Sequence, residues 1–223
     1  MKLPLIDGQG NATGEIDADD SVFGIEPNLA VVHQAVTAQR ANARQGTHST
    51  LDRSDVRQAA KKTGRQKGGG RARLGTPSSP TRIGGAVAHG PHPRSYRKRL
   101  PKRMRRLAIR SLLSQRAAEG GVLVTGPDVE FDAKTSSMSS LCQALGIERS
   151  ALLVSDGVDD DLVRGTKNLP NVQAMPAQTL SSYLILTHDQ LIMTEAAVRR
   201  CEALWAVDGG ERSDENGQED GDA

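Results

Sequence analysis

The sequence predicts an α/β fold, a mostly parallel open sheet flanked by helices, interrupted by a long extended basic loop. Three observations carry this expectation. Short apolar runs alternate with helical patterns from residue 119 to residue 207, the texture of βα units. Residues 44–95 hold nine glycines and four prolines, but their large apolar residues are only Leu51, Val56, Leu74, Ile83 and Val87. Charge is also partitioned: residues 40–116 carry 21 Lys and Arg against Asp52 and Asp55, while the rest carries 8 against 25 acids. The formal net charge of +2 hides that asymmetry.

At the amino terminus, KLPLID reads as a short strand running into the glycine-rich turn GQGNATG. The segment EPNLAVVHQAVTAQRANAR reads as a helix opening at Pro27 and Asn28, with Leu29, Val32, Ala35 and Val36 at helical spacing as its buried stripe. Residues 44–95 then break the pattern, and a loop several times longer than the usual limit of about 12–15 residues is functional or disordered. Burying so little apolar surface, it cannot offset the entropy of ordering itself. If it leaves and returns as two extended arms, its reach is at most roughly 80 Å. The segment YRKRLPKRMRRLAIRSLLSQRAA, residues 96–118, reads as a basic helix with Pro101 near its first turn. Arg99, Arg103, Arg106 and Arg110 share one face; Leu100, Met104, Leu107, Ala108 and Leu112 share another, with Ile109 and Leu113 extending burial further round.

From residue 119 the expected strands lie in GGVLVTG, ALLVSDG, NVQAM and SYLILTHDQLIMT, and the expected helices in TSSMSSLCQALG, DDDLVRGTKNL and TEAAVRRCEALW. Such alternation implies a sheet covered on both faces. The domain plan is one α/β domain from residues 1–43 and 96–207, an extended loop at 44–95, and an acidic tail at 208–223. That tail has seven acids, one arginine and no apolar pattern, the composition of a disordered segment. No secretory h-region and no membrane-length apolar run occurs, so no membrane partner is expected and a cytoplasmic setting is.

The catalytic and ligand-binding patterns in the chain are each incomplete. Gly8-Gln9-Gly10 follows a strand, yet EIDADDSVFG comes next rather than a helix whose amino terminus would hold a pyrophosphate. The run GRQKGGG, Gly64–Gly70, lacks the Lys-Ser/Thr of a phosphate loop, Arg71 standing there instead. His89 and His92 are expected to have no Cys, Asp or Glu near them to complete a metal shell, and Arg94 and Arg97 would repel a cation. Asp159, Asp160 and Asp161 read as the start of a helix, where acids answer the dipole. Cys142, Cys201 and His188 are lone residues in apolar patterns. No enzyme, cofactor or metal site is expected.

The run KKTGRQKGGGRARLG, Lys61–Gly75, has six cations, five glycines and no acid. Glycine lets a backbone pass close to a crowded surface, and arginine suits paired phosphate oxygens. No helix-turn-helix, finger or zipper pattern points to duplex DNA, whereas a long irregular loop suits the interior of folded RNA. Foldable sequence flanks the segment on both sides, which a simple basic tail would not need.

A resemblance becomes specific here. The runs GRQKGGGRARLG, PTRIGGAVAHGPHPRSY and LPKRMRRLAIRSLLSQ, preceded by VHQAVTAQRANARQGT and followed by LILTHDQLIMTEAAV, resemble the universal family of the fourth protein of the large ribosomal subunit, bacterial type. The likeness covers residues 1–207. It implies a globular α/β domain on the solvent side of the ribosome and a loop threading large-subunit rRNA to line the polypeptide exit tunnel. It also implies a part in subunit assembly, with rRNA, neighbouring ribosomal proteins and the nascent chain as partners. Arg65, Gln66, Lys67 and Gly68, with Arg71 and Arg73 after them, match the family's tunnel-facing tip. The chain departs from the family at Gly64 and Thr81, where tryptophans are common, and at Ile83, where glycine is usual. Contacts there rest on arginine and backbone rather than on aromatic stacking.

The expected RNA contacts are Arg44, Lys61, Lys62, Arg65, Gln66, Lys67, Arg71, Arg73, Arg82, His89, Arg94, Arg97, Lys98, Arg99, Lys102, Arg103, Arg106 and Arg110. The rival reading is a general RNA chaperone or mRNA-binding regulator without a ribosomal home.

Overall fold

The computed structural model describes residues 1–127, 129, 131–147 and 149–206. The acidic tail expected at 208–223 lies outside the described residues. The chain divides into two compact units, Met1–Gln39 with the segment from Arg99 onward, and Arg40–Lys98.

The first unit is built on a six-stranded sheet of order β2-β1-β3-β6-β4-β5. Its strands are β1 (Lys2–Ile6), β2 (Ala12–Asp17), β3 (Val122–Thr125), β4 (Ala151–Ser155), β5 (Val172–Pro176) and β6 (Gln190–Thr194). Only the β1–β2 pair is antiparallel; β1–β3, β3–β6, β6–β4 and β4–β5 are all parallel. Parallel neighbours need crossover connections, and helices supply them. The helices are α1 (Asp20–Phe23), α2 (Leu29–Asn42), α3 (Lys102–Ala118), α4 (Thr135–Ala144), α5 (Asp160–Thr166), α6 (Ser182–Thr187) and α7 (Glu195–Trp205).

The pleat sorts the strand side chains onto two faces. Val122, Val124, Leu152, Val154, Leu191 and Met193 join α1, α2, α3, α6 and α7 in one apolar cluster. Ala151, Leu153 and Ile192 join Met138 of α4 and Leu162 of α5 in another. The α/β class and the covered, mostly parallel open sheet therefore stand as the alternation predicts.

Several elements differ from expectation. Three of the seven residues taken as a glycine-rich turn belong to strand β2. Only Ile16 of its six residues is buried, so as an exposed edge it carries no alternating pattern. The turn proper is closed by Asp7, whose carboxylate accepts from the Gln9 and Asn11 amides at 2.9 Å. Helix α1 was not anticipated; four residues suffice because Asp19 caps it and Val22 and Phe23 are fully buried. In α2, Asn28 accepts from the Val31 amide as expected of a cap, but Leu29 is 66% exposed and the buried stripe is Val32, Ala35 and Ala38. The basic helix starts at Lys102, not at residue 96. Pro101 disfavours helical backbone in the residue before it, which leaves Leu100 and Arg99 outside the helix. Finally, SYLILTHDQLIMT is two elements, α6 and β6, parted at His188 and Asp189.

The second unit has no residue in helix or strand after the end of α2. Its only buried apolar residue is Ala86. Polar cross-links hold it instead. Asn42 and Lys98 exchange two bonds of 2.6 and 3.2 Å. Beyond them the backbone pairs are Arg94 N–H to Gly46 O, Thr50 N–H to Pro91 O, Val87 N–H to Leu51 O and Thr63 N–H to Gly75 O. Paired residue numbers add to nearly the same value throughout, which is the mark of two strands of chain running antiparallel. They close on the residues between Thr63 and Gly75.

Candidate nucleic-acid interface

None of the 20 Lys and Arg between residues 40 and 110 pairs with a carboxylate among the described residues; the sole ion pair in that span is His92 with Asp52, at 3.6 Å. That pair also corrects the expectation that no acid lies near the two histidines. Even so, no group of three His, Cys, Asp or Glu side chains is placed to hold a metal ion among the described residues. His89 sits at φ 57°, in a left-handed backbone position.

Within the second unit the closing turn displays Arg65, Gln66, Lys67, Arg71 and Arg73, all exposed, with Lys61 and Lys62 just before it. Lys62 donates to the Gln66 side chain, and Thr63 Oγ1 donates to Gly75 O at 3.3 Å, which fixes the neck of this turn. Arg82 is different. It lies in a knot of consecutive turns from Thr76 to Ala86, half-buried, with a buried Nη2 that has no protein partner. Ile83 beside it is completely exposed.

The other end of the unit is organised around Tyr96. Its ring has the Arg44 guanidinium 3.8 Å from the centroid and that of Arg94 at 4.7 Å. His48 reaches the phenol oxygen at 3.3 Å. The Arg94 guanidinium, with a smaller contribution from the charge of Arg44, holds the Tyr96 phenol below its ordinary pKa. Gly46 makes the approach possible: its φ is +73°, and a Cβ there would lie 2.1 Å from Arg94 O and 3.0 Å from the Tyr96 ring. Together Arg44, Gly46, Arg94, Tyr96 and Arg97 line an open cleft of about 800 Å³.

In the first unit the basic residues crowd the start of α3. Lys102, Arg103, Arg105 and Arg106 are exposed, and the first turn contains no acid. Cations at a helix amino terminus oppose the dipole, at about 0.3–1 kcal/mol each. A helix arranged in this way becomes favourable when an anion lies against it. Arg110 points elsewhere: it is half-buried, its Nη1 donates to Ser21 O at 3.5 Å, and its Nε is buried without a partner. Ala108, Ile109 and Ser111 through Ser114 are buried, so the basic face ends where the helix enters the core.

Sequence reasoning overlooked Arg105, which composition alone could have supplied. It also missed Tyr96 and Gly46 as the organisers of Arg44 and Arg94, since their meeting depends on residues some fifty apart. Asp159 caps α5 by accepting from the Asp161 and Leu162 amides, as the helix-start reading of the three aspartates requires. Burial raises the Cys142 thiol and pushes that of Cys201 up to about 12, away from nucleophilic chemistry. No described helix is long and apolar enough to cross a membrane.

Comparison with known proteins gives a consistent result. A model described as the ribosomal protein L4/L1 family matches residues 16–204. The chain is 43% identical over 206 residues to a large ribosomal subunit protein uL4 of Heliobacterium modesticaldum, covering 92% of this chain and 99% of that one. Proteins of the same name from Oceanobacillus iheyensis and Dehalococcoides mccartyi are also 43% identical over 206 residues, with 92% of this chain covered and 99% and 98% of theirs.

Proposed function

The chain belongs to the ribosomal protein L4/L1 family, and from that premise we propose that it is a structural constituent of the large ribosomal subunit, not an enzyme. It binds large-subunit rRNA and packs beside other ribosomal proteins in the cytoplasmic ribosome. The observation that supports this best is the set of 20 unpaired Lys and Arg between residues 40 and 110. So many uncompensated cations in a span with three buried apolar residues, Ala86, Ala108 and Ile109, suit a polyanion better than a protein surface.

Within this reading the division of labour follows the two units. Residues 40–98 thread the rRNA, with Arg44, Lys61, Lys62, Arg82, Arg94, Arg97 and Lys98 neutralising phosphates and His89 contacting them. The turn bearing Arg65, Gln66, Lys67, Arg71 and Arg73 reaches the exit tunnel, where it lines the path of the nascent chain. Arg99 and the start of α3, with Lys102, Arg103 and Arg106, supply further phosphate contacts, while Arg110 serves mainly to join α3 to α1. Such binding also supports subunit assembly. The general RNA chaperone is not favoured, because the matched relatives bear ribosomal names over nearly their whole length.

A tagged copy of the full chain, expressed in bacteria, should sediment with large subunits and remain there at moderate salt. A photocrosslinker at position 67 should attach to large-subunit rRNA or to nascent chain. A protein spread over bulk RNA and absent from the subunit peak would overturn the assignment.

A further inference from the structure

We propose that the cleft organised by Tyr96 is a phosphate site: it seats a phosphodiester of the bound RNA between Arg44, Arg94 and Arg97, and does not stack a base. The proposal rests on the nucleic-acid reading above and assigns the chemistry of one place within it. Three guanidiniums line the cleft, and no carboxylate does. Two of them lie over a single ring, at 3.8 and 4.7 Å from its centroid, so like charges are brought together with only the ring's negative face to attract them. An oxyanion is the ligand that relieves this arrangement, and the planar fork of arginine fits two of its oxygens at once.

The same geometry excludes the other use of an aromatic ring. Tyr96 is the single Phe, Tyr or Trp between residues 40 and 98, hence the one platform on which this unit could stack a base. Guanidiniums already occupy it. The site is also prearranged rather than assembled from mobile side chains. Gly46 accepts the Arg94 N–H at 3.1 Å in a turn that leaves no room for a side chain, and Asn42 ties down Lys98 two residues beyond Tyr96. The entropy cost of fixing two long arginines is thus reduced before any ligand arrives.

The test uses the full chain carrying Tyr183→Phe, which leaves Tyr96 as the sole tyrosine. Its ionisation is followed by ultraviolet difference absorbance. Inorganic phosphate, a short single-stranded RNA and an unphosphorylated nucleoside are each added at matched ionic strength. Phosphate and RNA are expected to move the Tyr96 midpoint upward by about half a pH unit, the bulk-water effect of neutralising one charge at this range. The nucleoside should leave it unmoved, and Arg44→Gln with Arg94→Gln should abolish the response. No movement with phosphate or RNA, or movement with the nucleoside alone, overturns the proposal. Binding of the same protein to a large-subunit rRNA transcript is measured in parallel. If the transcript binds while Tyr96 stays silent, the cleft assignment fails and the ribosomal reading stands; if the transcript does not bind, that reading fails.

Discussion

Arg116 shows how a single residue can mislead a count of charges. It belongs to the basic stretch by sequence, yet its Nη2 donates to His188 O at 2.8 Å and to the carbonyls of Ile185 and Leu186 at 3.4 Å. Those oxygens lie at and beyond the carboxyl end of α6, where a helix has no internal donors left. Arg116 also pairs with Glu119 at 3.2 Å and is only 18% exposed. It is a cap for α6, not a hand held out to RNA. Replacing it by glutamine removes a charged donor from three carbonyls, two of them part-buried, a change of about 2 kcal/mol. We expect Arg116→Gln to lower Tm by about 4–8 °C while the affinity for an rRNA transcript stays the same. Equal loss in both measurements would place Arg116 among the RNA contacts.

At the scale of elements, periodicity finds α3 but places its start too early, and it misses the helix's most consequential polar residues. Ser114 Oγ donates to Val22 O at 3.0 Å and accepts from the Ile25 amide at 3.1 Å; Ser111 Oγ accepts from the Asn28 amide at 3.2 Å. Two serines therefore hold the connection from α1 to α2 against the buried face of α3, serving backbone groups that no strand or helix serves. Ser114→Ala leaves a buried donor and a buried acceptor unpaired, and the expected cost is about 1–3 kcal/mol, read as a lower midpoint in chemical denaturation. An unchanged midpoint would mean that water replaces the hydroxyl. Nothing in the local pattern marks these serines, because their partners lie some ninety residues earlier in the chain. The same limit explains the missed elements. An edge strand with one buried residue, Ile16, offers no alternation to read, and a four-residue helix offers no turn-on-turn repeat. The run from Tyr183 to Thr194 is apolar at both ends, and each short apolar piece fits helix or strand equally well until tertiary contacts decide.

At the scale of the whole molecule, the legible quantity was charge, because composition reports it without any knowledge of folding. The candidate contacts on the closing turn and on the first turns of α3 follow from it directly. Which cations are already occupied does not follow: Arg110 and Arg116 turn inward, and Arg44 and Arg94 are set by Tyr96. A thermodynamic count separates the two kinds, since only cations that displace counterions contribute to the salt dependence of binding. With about eight phosphates neutralised, log K for an rRNA transcript against log salt should have a slope near −6 to −7. Deleting residues 64–85 removes Arg65, Lys67, Arg71, Arg73 and Arg82. The sheet strands and α1 to α7 lie outside that deletion, so the circular dichroism of the α/β unit should persist. The slope should then become shallower by about 3.5 to 4.5 if all five meet phosphates. Weaker binding with an unaltered slope would mean that the segment acts through shape alone, and an unaltered affinity would remove it from the RNA interface.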